Sequence, residues 1–166
     1  MTGPEVSPGS LTHTDDAGAA RMVDVSGKDV TDREAVATGV LRTTSDVVQL
    51  ISSGGLPKGD ALATARIAGI MAAKRTSELI PLCHPLPISG VQIELRPVGD
   101  EVRITATVRT TGRTGVEMEA LTAVAVAGLT MHDMVKAVDP AAVLDAVRLE
   151  TKTGGKTGIW TRPEGR

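Results

Sequence analysis

Two hydrophobic periods divide this chain. Between Val91 and Val108 the period is two: Val91, Ile93 and Leu95 alternate with Gln92, Glu94 and Arg96. Across Gly99-Asp100 the alternation resumes, with Val102, Ile104, Ala106 and Val108 set against Arg103, Thr105, Thr107 and Arg109. Such a pattern predicts an antiparallel hairpin with one buried and one wet face. On either side the apolar positions spread around a helix instead. Gly59-Asp60 offers a loop residue and an N-cap, Leu62, Ala63, Ile67, Ile70, Met71 and Ala73 follow, and Pro81 and Pro85 stop the run. Val116–Val138 predicts a second long helix, ended by Pro140. Both helices are apolar around most of their circumference, so each needs cover on more than one side, from other elements or from another subunit.

The remaining chain supplies shorter elements. Residues 1–18, MTGPEVSPGSLTHTDDAG, lack hydrophobic period and read as a flexible N-terminal arm, with His13 a solvated residue within it. Arg21–Val25 reads as a short strand, Thr31–Glu34 as a turn, and Val36–Arg42 as a strand. Ser45–Ser52 reads as a short helix closed by Gly54-Gly55, Thr111–Gly115 as a loop, and Ala146–Lys152 as a last strand. The order is β-α-β-β-α-β, which predicts an α+β, ferredoxin-like domain: an antiparallel sheet with two long helices on one face. Residues 19–158 form that single domain, and 159–166 a polar C-terminal tail.

Composition narrows the partners. At 166 residues and 17.1 kDa the chain suits one domain with a real core. It has no Phe and no Tyr, and Trp160 is its one aromatic residue, so base stacking on single-stranded nucleic acid lacks its usual platform. A net charge of −2 argues against a broad nucleic-acid or anionic-membrane surface. With one cysteine, no 18-residue apolar run and no basic-plus-apolar leader, the expectation is a soluble cytoplasmic protein.

Reactive side chains cluster at helix ends. Lys58 precedes the first long helix and Cys83-His84 follows it; the helix body, at about 1.5 Å per residue, would hold them more than ~25 Å apart. They serve one site only if the chain folds back or two subunits contribute. His84 is either a proton shuttle or anion ligand, or a hydrogen-bonded loop residue. Cys83 reads as inert packing rather than a nucleophile. Glu117 and Glu119 open the second helix, where the dipole alone would favour them. Asp133 and Lys136 near its end are either a surface ion pair or charges at a cleft edge. Glu119 and Asp133 lie ~21 Å apart along that helix, too far for one small pocket unless two copies pair antiparallel. One Cys and three scattered His give no metal-ligand spacing. Gly155-Lys156-Thr157 is not a P-loop, because Glu150 stands where the earlier glycine is required. Lys58, Lys74, Arg75, Lys152 and Lys156 are loop or helix-end cations, either suited to a polyphosphate or simply solvated.

Three blocks, KGDALATARIAGIMAAKRTSELIPLCHPL, TGRTGVEMEALTAVAVAGLTMHDMVKA and VRLETKTGGKTG, resemble the cyclic pyranopterin monophosphate synthase (MoaC) family of molybdenum cofactor biosynthesis. The resemblance spans about Leu11 to Gly158. It implies a ferredoxin-like subunit in a homohexamer built from dimers, with sites between subunits. It also implies an enzyme that rebuilds a cyclised dihydroguanosine triphosphate as cyclic pyranopterin monophosphate and releases pyrophosphate. By motif, Lys58 and Lys136 resemble the catalytic lysines and Asp133 the active-site acid. Leu82, Cys83, His84, Met118 and Glu119 resemble the ligand-contacting segments, and Glu117, Arg33 and Lys152 resemble further site residues. No redox cofactor or bound metal is implied; Mg²⁺ accompanying the triphosphate stays open. His132 departs from the pattern, standing where an aromatic residue is expected. The competing reading is a ferredoxin-like small-molecule-binding or regulatory module, which would not need Lys58, Asp133 and Lys136 together.

Overall fold

In the computed structural model, which describes residues 17–165, β1 (Thr31–Arg42) leads through α1 (Ser45–Ser53), α2 (Ala61–Lys74) and the short α3 (Thr76–Leu79) to β2 (Ile88–Val98). β3 (Glu101–Gly112), α4 (Glu117–Val135), β4 (Val143–Thr153) and β5 (Trp160–Thr161) follow. The strands lie in the order β2-β3-β1-β4-β5, every neighbouring pair antiparallel. This is the ferredoxin-like α+β arrangement that the order of elements predicts. Residues 1–16 of the expected arm, His13 among them, lie outside the described residues.

The alternation seen in the sequence becomes the buried face of the sheet. Val102, Ile104, Ala106 and Val108 of β3 and Ala35, Ala37 and Leu41 of β1 point at the helices and are sealed from solvent. Ala120, Ala123, Val124, Ala127 and Met131 of α4 answer them. Each fully buried Val, Leu or Ile contributes about 1.5–3 kcal/mol. With no Phe or Tyr to fill space, the layers close by approaching each other. At Gly69 of α2, an added Cβ would stand 3.1 Å from the Ala123 carbonyl oxygen and 3.3 Å from Ala127 Cβ. At Gly39 of β1 it would stand 2.6 Å from Val124 Cγ1.

Several boundaries differ from expectation. The first long helix breaks at Arg75, because the buried Thr76 hydroxyl donates back to the Ala72 and Ala73 carbonyls (3.2 and 3.1 Å) and competes with the ladder. Thr31–Glu34 is not a turn and Thr111–Gly112 is not loop. Both are strand, paired across β1 and β3, with Asp32 accepting from the Thr111 hydroxyl and Arg109 ion-paired to Glu34. Arg21–Val25 joins no sheet. β4 begins at Val143 and carries a bulge where Ala146 takes φ 51°, its amide bonded to the Asp145 carboxylate. Beyond residue 158 the sheet continues: Trp160 and Thr161 pair with Lys152 and Thr151.

Replacing Gly39 by Ala should therefore lower unfolding stability by about 1–3 kcal/mol, since Val124 is fully buried and has nowhere to retreat. Denaturant midpoints of the two proteins check this; an unchanged midpoint would mean that α4 can lift off β1 without cost.

Candidate active site

The sequence places its reactive residues at helix ends, and the packing of α2 on α4 decides which ends meet. The two helices run antiparallel, with Gly69 against Ala123 and Ala127 midway. The loop before α2 therefore arrives at the C-terminal end of α4. There Lys58 Nζ donates to Asp133 Oδ2 at 2.7 Å, and Lys136 Nζ reaches Asp133 Oδ1 at 2.6 Å. Asp133 and Lys136 are thus more than an isolated surface pair. Their third member comes from 75 residues earlier in the chain. Lys136 is also the C-cap of α4, where a cation suits the helix dipole.

The three side chains remain about half exposed, open to a ligand. The hydrogen bond from Lys136, followed by that from Lys58, holds the Asp133 carboxyl down at about 2. Asp133 is therefore a fixed anion throughout the neutral range, and two ammonium groups on one carboxylate leave a net positive charge. Such a group can orient two lysines as proton donors or acceptors and attract phosphate.

The opposite end of the helix pair has different physics. Glu119, in the first turn of α4, is almost fully buried, and burial, with the nearby Glu117 charge, pushes its carboxyl up to about 7. It is an acid able to hold or release a proton near neutrality. Glu117 instead accepts from Lys152 Nζ of β4 at 2.8 Å, its carboxylate folded over Gly115, where a Cβ would collide with it. Cys83 lies within reach of the Glu119 charge; burial, then that charge, raises its thiol above the ordinary value. An unionised thiol is a poor nucleophile, in keeping with a contact role. Leu82 and Met118 are each 37% exposed, offering apolar surface at this end. Arg33 donates through Nε to the Gly112 carbonyl (2.9 Å) and through Nη2 to the Arg113 carbonyl (3.1 Å). It lies under Gly154 and Gly155, where side chains would strike it. Much of its guanidinium is thus engaged in building the loops of this end.

Within one copy the predicted residues form two groups: Lys58, Asp133 and Lys136 at one end, and Cys83, Glu117, Glu119 and Lys152, with the loops held by Arg33, at the other. His84 stays with the second group, near enough to Asp24 for its charge to lower that carboxyl, after the larger effect of the Ser26 amide. The ~21 Å of α4 between Glu119 and Asp133 keeps the groups apart. Asp24 and Arg113 are positions that sequence reasoning missed. Arg113 stands inside the TGRTG block just before Glu117, which was the available signal. Among the described residues no group of three or more His, Cys, Asp or Glu side chains is arranged to hold a metal ion, and no helix is long and apolar enough to cross a membrane.

The ferredoxin-like fold thus carries lysine–carboxylate groups at both ends of one helix pair. The particular family follows from comparison with known proteins. The model of the MoaC family matches residues 22–155, so the chain belongs to the MoaC family. It is 69% identical over 152 residues to a Streptomyces coelicolor protein named cyclic pyranopterin monophosphate synthase, covering 92% of this chain and 89% of that one. A Mycobacterium bovis protein named cyclic pyranopterin monophosphate synthase 2 is 63% identical over 154 residues (93% and 92%). A Corynebacterium glutamicum cyclic pyranopterin monophosphate synthase is 57% identical over 151 residues (91% and 97%).

Because the Glu119 carboxyl titrates at about 7 in the fold against 4.5 ordinarily, the unfolded chain ionises first as pH rises. Stability should then fall between these values and level off above them. Replacing Glu119 by Gln removes that slope. Relative to the parent protein, E119Q should gain on the order of 2–3 kcal/mol between about pH 5 and about pH 8. Denaturant titrations at both pH values test this, and parallel curves for the two proteins would place the Glu119 proton elsewhere.

Proposed function

We propose that this chain is a cyclic pyranopterin monophosphate synthase, a phosphorus–oxygen lyase acting on 3',8-cyclo-7,8-dihydro-GTP in molybdenum cofactor biosynthesis. The observation that carries the reading is the convergence of Lys58 and Lys136 on the ionised Asp133. Rebuilding the base as a pterin needs proton transfers at several atoms, which two lysines, a fixed carboxylate and the raised Glu119 can supply. In the phosphate step a substrate hydroxyl gives up its proton to a basic group of the site as its oxygen bonds to the α-phosphorus, the bridging P–O bond breaks, and pyrophosphate leaves with the electron pair. Fixed cations such as Lys152 favour the charge that grows on the leaving group. Mg²⁺, where it takes part, would travel with the substrate's phosphates.

The working enzyme is a homo-oligomer, a hexamer built from dimers, whose pockets join the Lys58/Asp133/Lys136 end of one copy to the His84/Glu119/Lys152 end of another. Two observations support this. The two groups are too far apart along α4 for one ligand, and Ile67, Met71 and Leu129 leave the outer faces of α2 and α4 apolar and exposed. A two-fold that pairs helices antiparallel would bring unlike ends together. The single cysteine and modest charge suit a cytoplasmic setting. In the competing reading, a regulatory module that only binds a small molecule, nothing requires the three-residue group around Asp133.

The purified protein, incubated with the cyclised triphosphate, should release pyrophosphate; a folded protein that releases none would favour the binding module. Mixed variants test the shared pocket. Lys58→Ala and Lys136→Ala each lose turnover, and because both lysines serve Asp133 of their own chain, mixing them restores nothing. Mixing Lys136→Ala with Lys152→Ala should instead recover roughly a quarter of parental activity, since a randomly mixed pair regains one intact pocket. Mixed oligomers verified by mass that stay inactive would mean that each copy holds a complete site.

A further inference from the structure

Residues 21–30, ahead of β1, form no strand, yet they are held in place. Ser26 N donates to Asp24 Oδ1 at 2.8 Å and Lys28 N to the Val25 carbonyl at 3.0 Å, forming a compact turn. Arg113 ties this turn to the body: its Nη1 donates to the carbonyl oxygens of Ser26 and of Lys28, the latter at 3.1 Å. Arg113 is itself anchored. Its carbonyl accepts from Arg33 Nη2 and its neighbour's carbonyl, Gly112, from Arg33 Nε, so the strand end that carries it is fixed to β1. The turn so placed sets Asp24 within electrostatic reach of His84. A run of contacts therefore leads from Arg33 through Arg113 to a chain segment standing beside the Cys83–His84 end of the site.

We propose that Arg113 is a positioning residue that clasps the Asp24–Lys28 turn against the His84 end of the site. Substrate then meets an ordered wall rather than a loose segment. The guanidinium suits the task because its donors are presented in a fixed fork, whereas a lysine would offer a compact ammonium on a flexible stem. In the free protein the clasp keeps the binding-competent arrangement populated. Without it, part of the binding free energy goes into ordering the turn, and apparent affinity falls by the fraction of time the turn is in place. Bound substrate can still order the turn, so the chemical step at saturation survives. The kinetic part of this proposal rests on the reaction assigned above; the clasp itself does not.

Arg113→Ala and Arg113→Lys, made in the full chain, test it by two readouts. In hydrogen exchange without substrate, amides of residues 22–30 in R113A should exchange about tenfold faster, with β1, β3 and the melting temperature unchanged. In turnover, R113A should raise KM about tenfold while kcat stays within about twofold, and R113K should fall between it and the parent. The clasp is overturned if exchange in 22–30 matches the parent, or if faster exchange spreads into β1 and β3 with a lowered melting temperature. Loss of kcat at unchanged KM would overturn the positioning role, since Arg113 would then act in the chemistry. A parent protein that releases no pyrophosphate would sink the assigned reaction alone, and exchange would still decide the clasp.

Discussion

The close packing of α2 on α4 is the constraint on which the rest depends. With an aliphatic and alanine-rich core, the two helices reach a stable contact only by bringing their backbones together at Gly69. That contact sets their register, and the register sets the chemistry. Sliding α2 by one turn, about 5.4 Å, would carry Lys58 out of hydrogen-bond reach of Asp133 and the chain after α3 away from Glu119. Side chains far apart in sequence thus owe their partnership to Gly69, Ala123 and Ala127, buried between the two helices.

The same contact explains which parts of the molecule were legible beforehand. The hairpin announced itself by strict alternation, because one face of β2 and β3 is buried and the other wet. The long helices were visible through Asp60 as N-cap and through proline stops, and Asp60 does accept from the Ala63 amide. Strand ends such as Thr31–Glu34 were hidden, since polar cross-strand pairs stabilise them and polar residues read as turn. The break at Arg75 depends on the side-chain hydroxyl of Thr76 reaching back to two carbonyls, which leaves no mark on periodicity. For the site, the chain showed the reactive residue types and, through family resemblance, the roles to expect of them. It could not show that Lys58 and Lys136 meet within one chain, because that requires the helix register. Arg113 and Asp24 escaped for a related reason: their contacts run from a side chain to carbonyls of a distant loop, and any residue supplies carbonyls.

The two groups at the ends of α4 achieve opposite protonation behaviour by opposite means. Asp133 is exposed and stays ionised because two ammonium groups donate to it. Among the described residues no cation is hydrogen-bonded to Glu119, which lies sealed under the start of the helix, so burial keeps its proton on to about 7. Its neighbour Glu117, two residues away on the same turn, is paired with Lys152. Carboxylates driven apart in this way can divide the work of acid and anion between them.

That division also bears on why the proposed shared pocket would be economical. Gathering Lys58, Lys136, Lys152 and Arg33 around one point of a single subunit would place four cations together with few anions before any ligand arrived. Such a group would repel itself and weaken the fold. Held at opposite ends of α4, each pair keeps its own neutralising partners, Asp133 at one end and Glu117 and the loop carbonyls at the other. Each copy can then fold without paying for the concentrated field. In the proposed oligomer that field would form only where two copies meet, on a surface whose exposed Ile67, Met71 and Leu129 supply an independent, apolar reason to associate.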